Sequence, residues 1–566
     1  MKLTKKVTKK TEQNRNQSLK NNKESLFSKY SFPISLLFVL ILGIMLYSNT
    51  FNVPFYYDDF DSIVGDPLIK DINNFAQLPN FIDAIHSRFI SGLSFALNFH
   101  FGTFDVNGYH IVNVSIHLIN SILIMLLMNF TFKTPKLKNK YSLNEQTLFT
   151  LICGLVFVSH PIQTQAVTYI IQRMTALATM FFISSVVLYV KARLTMKNPE
   201  QSTSKKIMTL LFLCMSVIAF IGGLWSKQIV ATLPIVLVVY EFLFLRDEEE
   251  KINWKKVALA VILLIIIIVI AILIIGLPSE TEEISRKDYL LTELNVIVTY
   301  LRISVLPISL NLDYDYPIYT SLFNTQTIIS IIIILTLLVI SIKTFKKYPL
   351  LSFAILWFFI TLSVESSIIP IRDVIVEHRV YLPLFGFAIF FASLIMLLSH
   401  KYNIIKYSIP ICFIMFYSIS TFERNTLWND PVAMWSDAMQ KSPNKVRPIF
   451  FRGFVYLHNN EVDKAIYDFK HVISLDKNYY RAYDNLGVAF QEKKDYKTAL
   501  IYLNEAIRLR PGSPYAYNNR ASAYILLGKY DEALDDLNKA VSITGNYTDA
   551  YYNLGYVHFL LKKYDE

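Results

Sequence analysis

The sequence is short of charge, short of cysteine and devoid of any glycine-rich phosphate loop. Only 17% of its 566 residues are Asp, Glu, Lys or Arg, against roughly 25% in soluble globular domains. A wholly soluble chain is excluded. The three cysteines, Cys153, Cys214 and Cys412, all lie inside apolar stretches, with no C-x-x-C spacing and no Cys/His cluster. A disulfide framework and a structural zinc site go with them. No Ser/His/Asp grouping and no kinase motif occurs either, which speaks against a soluble nucleotide as a group donor. What is plentiful is apolar, with 53% hydrophobic and 14% aromatic residues. The net charge of +11 would suit nucleic acid, but Lys and Arg sit in the N-terminal tail and in short loops, not along one groove. The chain is too long for one domain. It reads as an integral membrane protein with a soluble part attached.

Residues 1–29 are rich in Lys, Asn, Gln and Ser and are expected to form a disordered basic cytoplasmic arm. No small-residue cleavage motif follows the apolar run that ends at Tyr47, so a cleaved signal peptide is not expected. Eleven candidate spans follow: 31–48, 109–131, 148–163, 168–192, 207–224, 228–246, 257–277, 326–344, 349–369, 380–399 and 404–421. The stretch 289–306 carries Glu293 and Arg302 and is expected to be a membrane-surface or re-entrant helix. With the N-terminus inside, alternate loops collect Lys133 to Lys140, Lys191 to Lys206, Arg246 to Lys256, Lys343 to Lys347, and Lys401 with Lys406. The opposite loops are poor in cations. The first of them, 49–108, instead holds Asp58, Asp59, Asp61, Asp66, Asp71, Asp83 and Asp105. That alternation sets the topology and leaves the C-terminal part outside the cytoplasm.

From about residue 446 a 34-residue period takes over. Gly453, Gly487, Ala521 and Gly555 share one phase, as do Tyr456, Phe490, Tyr524 and His558, and Ala465, Ala499 and Ala533. Small residues where two helices touch and large ones filling the gap make the tetratricopeptide pattern. The fourth unit stops at Glu566, inside the repeat. The expected architecture is therefore all-α: an arm over 1–29, a polytopic helix bundle over 30–422, and a tetratricopeptide-repeat solenoid over 423–566 with its last repeat incomplete.

Chemistry concentrates at the external ends of the spans. Pro54-Phe55-Tyr56-Tyr57-Asp58-Asp59-Phe60 sets adjacent carboxylates among aromatics beside the first span. Close carboxylates hold a metal or raise one another's pKa, and a solvated acidic turn is the simpler alternative. Arg88, Arg173, Lys227, Arg372 and Arg379 fall on the same side, against the positive-inside bias. Each alone is explained by snorkelling; as a set they suit a lipid phosphate. His110, His160, Glu377 and His378 lie at similar positions.

Several stretches resemble the transmembrane and tetratricopeptide-repeat-containing O-mannosyltransferases and their bacterial relatives, within the glycosyltransferase C superfamily. They are Phe55-Tyr56-Tyr57-Asp58-Asp59, Gly108-Tyr109-His110-Ile111-Val112-Asn113 with His117, His160-Pro161-Ile162-Gln163-Thr164, Gln172-Arg173 and Ser226-Lys227. Glu377-His378-Arg379-Val380-Tyr381-Leu382-Pro383 and Glu423-Arg424-Asn425 with Trp428 and Trp435 continue the match. The resemblance implies a polyprenyl-phosphate-linked sugar, mannose or like it, and a Ser or Thr hydroxyl of a protein acceptor. It implies an Asp of the first external loop as base, preferably Asp58, with Asp59 orienting the acceptor or a metal. Arg88, His110, His160, Arg173, Lys227, Glu377, His378 and Arg379 would bind the donor phosphate or substrate. A resident metal is not expected. The positions of Gln165 and Gln228 more often carry Glu in that family, which weakens any charged role there.

The leading reading is thus a membrane glycosyltransferase whose repeats bind the acceptor on the external side. The alternative is a non-catalytic membrane scaffold presenting a peptide-binding solenoid. A transporter would show inverted repeats among the spans, and none is visible. Lys/Asn/Ile-rich usage points to a bacterial inner membrane with a periplasmic site, or the endoplasmic reticulum in a eukaryote.

Overall fold

The computed structural model describes residues 30–561 apart from 78, 80, 198–201, 247–283, 367–369, 372 and 400–402. The basic arm, the expected span 257–277 and Arg372 therefore lie outside the described residues. Among those described the fold is helical throughout, and it divides into two units: residues 30–310 with 316–429, and 311–315 with 430–566.

The first unit is built inside out. Six helices are long and apolar enough to cross a membrane: Val106–Thr131, Ile170–Met196, Thr203–Leu224, Gln228–Leu245, Thr325–Thr344 and Ile405–Trp428. Tyr30–Leu46, Pro349–Leu362 and Leu384–Ser399 are shorter apolar helices. Ile332, Leu335, Val339 and Ile342 on one of them, and Ile411, Met415 and Ile419 on another, point outward as lipid-facing surface. Polar side chains turn in instead. His110, Asn113, His117 and Asn120, at helical spacing along Val106–Thr131, are fully buried. Each finds a partner, Asn113 and Asn120 donating to the carbonyls of Val167 and Ala176 and His117 meeting the Tyr381 hydroxyl at 2.8 Å. Such pairing is what the apolar solvent demands.

Two departures from continuous spans position the site. The expected span 148–163 holds only through Ser159; after it the chain bends by 49° into Pro161–Val167. His160 caps the break, accepting from the Ile162 N–H at 3.2 Å while its other ring nitrogen meets the Ser304 carbonyl at 2.9 Å. The second departure is Arg286–Val305. This helix is buried along one side and runs parallel to Thr325–Thr344: Asn295 bonds Thr327 and Ser330, and farther on Leu301 and Val305 share a cavity with Ile333 and Leu337. Residues 306–324 consequently carry the chain back to the end of the bundle from which the helix entered.

The second unit is a regular stack. Helix pairs Val446–His458 with Val462–Leu475, Tyr480–Glu492 with Tyr496–Leu509, and Pro514–Leu526 with Tyr530–Ile543 precede a final Thr548–Leu560. Ala465, Ala499 and Ala533 are fully buried where helices touch. An additional helix, Pro431–Lys441, stacks Trp435 on Phe451 with centroids 5.1 Å apart and so covers the first repeat. The segment Asn311–Asp315 also belongs to this unit: Asp313 pairs with Lys445 at 2.6 Å, and Ser442 donates to the Asp313 carbonyl at 2.8 Å.

Candidate functional site

The two adjacent carboxylates have opposite environments. The chain reaches them through Tyr57, whose φ of +28° is a strained value for a non-glycine residue. Asp59 is turned inward with no exposure. One of its oxygens accepts from the Tyr56 N–H at 2.9 Å, the other from the Ile171 N–H at 2.7 Å. Burial pushes its pKa up to about 8, against these two bonds and with the neighbouring Asp58 charge adding to the rise. Asp59 therefore pins the loop to the start of the Ile170–Met196 span. Direct contact with an acceptor or a metal, expected for it from the resemblance, does not fit a carboxyl sealed by two backbone donors. Asp58 remains half-buried, its backbone N–H donating to the Tyr169 hydroxyl at 2.9 Å. Behind them, Tyr169 stacks on Trp428 at 5.7 Å, and the Tyr56 hydroxyl donates to the Trp428 carbonyl at 2.6 Å.

The segment Tyr169–Thr175 is the ledge along which the site is organised. Tyr169 and Ile171 hold the aspartates. Arg88, with a left-handed φ of +50°, reaches the Met174 sulfur, and Lys227 Nζ reaches the Thr175 hydroxyl at 3.0 Å. Six residues of 3₁₀ and α geometry put roughly 10 Å between the two ends of that ledge. Half-buried His378 belongs to the cationic end. Its N–H donates to Gln165 at 2.8 Å, its Nδ1 is buried without a partner, and burial and the charges of Lys227, Arg379 and Arg88 keep its ring pKa well below the usual value.

Other expected site residues are structural. Arg173 is fully buried, donating to Asn113 at 2.6 Å and to the carbonyls of Ser94 and Tyr109 at 3.0 Å, with its guanidinium 4.5 Å from the centre of the Phe95 ring. It ties three segments together and presents no free edge to a phosphate. His110 is fully buried against the Val53 carbonyl at 2.8 Å, and His160 is the helix-break cap already described. Glu377 is fully buried and grips Arg424 at 3.0 and 3.2 Å. Arg379 donates to the carbonyls of Val374 and Asp373 and pairs with Glu293 at 3.4 Å. Lys227 pairs with Glu365 at 2.7 Å, and burial lowers its pKa in spite of that partner. Two of these cations, Lys227 and Arg379, thus have a local reason in carboxylates supplied by the protein itself. Among the described residues no three His, Cys, Asp or Glu side chains converge as a metal site would need.

The expected residues that keep some exposure are Asp58 at one end of that ledge and Arg88 and His378 at the other, with Lys227 buried. Sequence reasoning gave no site role to Glu365, Glu293, Arg424 or Tyr169, although Glu293 and Arg424 stood out in it. For the first three a signal existed, an ionisable residue within or beside an apolar stretch. Tyr169 gave none, because its role depends on a bond across 111 residues.

Comparison with known proteins agrees with both units. Tetratricopeptide repeat models match residues 480–513 and 502–535, and a TPR repeat model matches 521–562. The Protein O-mannosyl-transferase F38B6.6 of Caenorhabditis elegans is 23% identical over 465 residues, covering 79% of this chain and 63% of that protein. Protein O-mannosyl-transferase tmtc2 of Xenopus laevis is 30% identical over 213 residues, 36% of this chain and 23% of that one. The human TMTC2 is 29% identical over 215 residues, 36% of this chain and 24% of its own. The chain thus spans less than two thirds of the length of these relatives. Among solved structures, the first TPR of Spaghetti (RPAP3) bound to an HSP90 peptide shares 23% identity over 21% of this chain and 94% of that one, with a TM-score of 0.20. MamA shares 25% over 24% of this chain and 78% of its own, with a TM-score of 0.22. With a polytopic membrane bundle followed by tetratricopeptide repeats, the chain is similar to the protein O-mannosyl-transferases named above.

Proposed function

We propose that the chain moves a mannose-like sugar from a polyprenyl-phosphate donor to a Ser or Thr hydroxyl of a protein acceptor, on the extracytoplasmic side. The observation that carries this reading is the division of labour between the two aspartates. Asp59 is locked, which leaves Asp58 half-open and firmly placed, on one ledge with the Arg88, Lys227 and His378 group. Asp58 takes the acceptor hydroxyl's proton as that oxygen attacks the anomeric carbon. The bond from sugar to phosphate breaks, and the departing phosphate's charge is met by Arg88 and Lys227. Lys227 has to exchange Glu365 for the phosphate, or share itself between them. The repeats hold the acceptor protein, and the cation-rich loops keep the opposite end of the bundle cytoplasmic, in a bacterial inner membrane or the endoplasmic reticulum.

The test is sugar transfer from a polyprenyl-phosphate-linked mannose to a Ser/Thr peptide, in membranes of known protein content. Asp58→Asn is expected to lower the rate by roughly 10²–10⁴-fold at unchanged abundance. Unchanged transfer removes Asp58 from the reaction. A second reading, a non-catalytic scaffold, is favoured by one observation, the pairing of Lys227, Arg379 and Arg424 with protein carboxylates. It predicts that purified protein carries no polyprenyl phosphate by mass spectrometry, whereas a transferase retains it.

A further inference from the structure

The bundle carries a second cationic feature, away from the aspartates. Helices Arg173–Met196 and Thr203–Leu224 are clamped over most of their length. Ser185 and Ser216 exchange hydroxyl-to-carbonyl bonds of 2.8 and 2.9 Å, and Gly222 lets the Phe181 ring within 3.1 Å of where a Cβ would stand. Near their far ends the helices leave a groove of about 330 Å³ between them. Met196, Thr209, Leu210 and Leu213 line it, and Lys205 and Lys206 stand at its mouth.

Both lysines lie in the first turn of their helix, where the macrodipole disfavours cations and favours an anion. An anion seated there gains from the helix end and from two ammonium groups together. The exposed side chains Ile207, Leu211 and Met215 continue along the same helix as lipid-facing surface. A small soluble anion would leave that apolar continuation unused; a phospholipid uses both parts. Farther along the same end, Lys133 and Lys191 stand over one ring, Phe130, at 5.6 and 5.1 Å from its centre. Neither has a carboxylate within ion-pair distance among the described residues.

We infer that the groove between Arg173–Met196 and Thr203–Leu224 seats the headgroup of an anionic phospholipid, with Lys205 and Lys206 on its phosphate and its acyl chains along Ile207, Leu211 and Met215. The site is independent of sugar transfer and uses none of the residues assigned to it.

The test compares full-length protein with its Lys205→Gln/Lys206→Gln variant in nanodiscs of mixed phosphatidylglycerol and phosphatidylcholine, bound lipid being counted by native mass spectrometry. Two lysines near an anionic headgroup correspond to roughly thirty-fold in affinity, so the variant should lose its preference for phosphatidylglycerol. The Lys205→Arg/Lys206→Arg variant should keep it, which separates charge from folding. Phosphatidylglycerol should raise the thermal midpoint of the wild type, and millimolar inorganic phosphate should not. Equal phosphatidylglycerol retention by wild type and the Gln variant overturns the site. A midpoint shift reproduced by phosphate alone overturns the lipid as its ligand.

Discussion

The two units of the chain use the same ion pair, arginine with a carboxylate, under opposite conditions. In the membrane bundle Arg424 and Glu377 meet with side chains 8% and 0% exposed, and Arg424 also holds Thr164 and the Leu310 carbonyl. In the solenoid Arg520 and Asp536 meet at 20% and 7% exposure. That arrangement recurs two repeat lengths earlier as Arg452 with Asp468. The bundle pair joins segments 47 residues apart in sequence and is almost wholly buried. The solenoid pairs join the two helices of one repeat and lie near the surface. A membrane unit must answer each inward polar group individually, whereas a repeat unit copies one local solution.

Breaking one partner in each unit gives the largest expected contrast. Glu377→Gln leaves Arg424 buried beside a neutral amide, and loss of a buried partner costs about 3–5 kcal/mol. Asp536→Asn should cost about 1 kcal/mol, in the range of a partly exposed pair. Thermal unfolding of full-length protein in detergent, read separately for the two units by hydrogen exchange, measures both. Similar losses in the two units would end the contrast. Replacing both members of the bundle pair by apolar residues, Glu377→Leu with Arg424→Met, should recover much of the stability lost with one, although the site would lose a wall.

Glycines sharpen the same comparison at a smaller scale. A Cβ on Gly386 of the bundle would stand 2.7 Å from the Ala354 carbonyl oxygen and 3.0 Å from the Phe358 nitrogen, both backbone atoms. A Cβ on Gly487 of the solenoid would come within 2.4 Å of Leu503 Cγ and 2.7 Å of its Cδ2, side-chain atoms of a buried leucine. Each substitution gains up to about 1 kcal/mol of helix propensity. Gly386→Ala should nevertheless destabilise by roughly 1–3 kcal/mol through overpacking, and Gly487→Ala by less, because a side chain can shift where backbone cannot. Circular-dichroism melts of the two variants decide it. A neutral Gly386→Ala would mean that the Pro349–Leu362 and Leu384–Ser399 helices can move apart.

The same difference explains what the sequence disclosed. A 34-residue period is a local property repeated four times, so the solenoid was legible in the spacing of Gly453, Gly487 and Ala521. Apolar length likewise announced most of the spans. The site was legible only in part. Arg88 and Lys227 could be gathered because cations against the positive-inside bias stand out, and His378 came with the Glu377-His378-Arg379 stretch. That Asp59 would be sealed and Asp58 left open depends on the Ile171 N–H, 112 residues away. Arg173, His110, His160 and Glu377 were chemically suitable, and their consumption by carbonyls, an asparagine and Arg424 is a property of packing that no spacing encodes. The entry of Asn311–Asp315 into the solenoid unit was hidden for the same reason: Asp313 meets Lys445 across more than a hundred residues.

The smallest effect concerns pH, and it tests whether the solenoid is as uniformly forgiving as its repetition implies. Asp484 is one buried carboxylate there without an arginine: burial pushes its pKa up to about 6, and the Asn519 amide, donating at 2.9 Å, opposes the rise only partly. A raised carboxyl pKa means that the folded unit holds this proton more tightly than the unfolded chain. The contribution to stability is therefore full below about pH 4, the ordinary carboxylate value, and is lost as pH rises through about 6. Between pH 5 and 7 the solenoid should lose about 1 kcal/mol from this group. Asp484→Asn keeps an acceptor for Asn519 and removes the titration, so hydrogen exchange of the helices Tyr480–Glu492 and Pro514–Leu526 should become independent of that pH step after correction for intrinsic exchange. If wild type and variant show the same pH dependence, Asp484 does not take up its proton across that step in the folded unit.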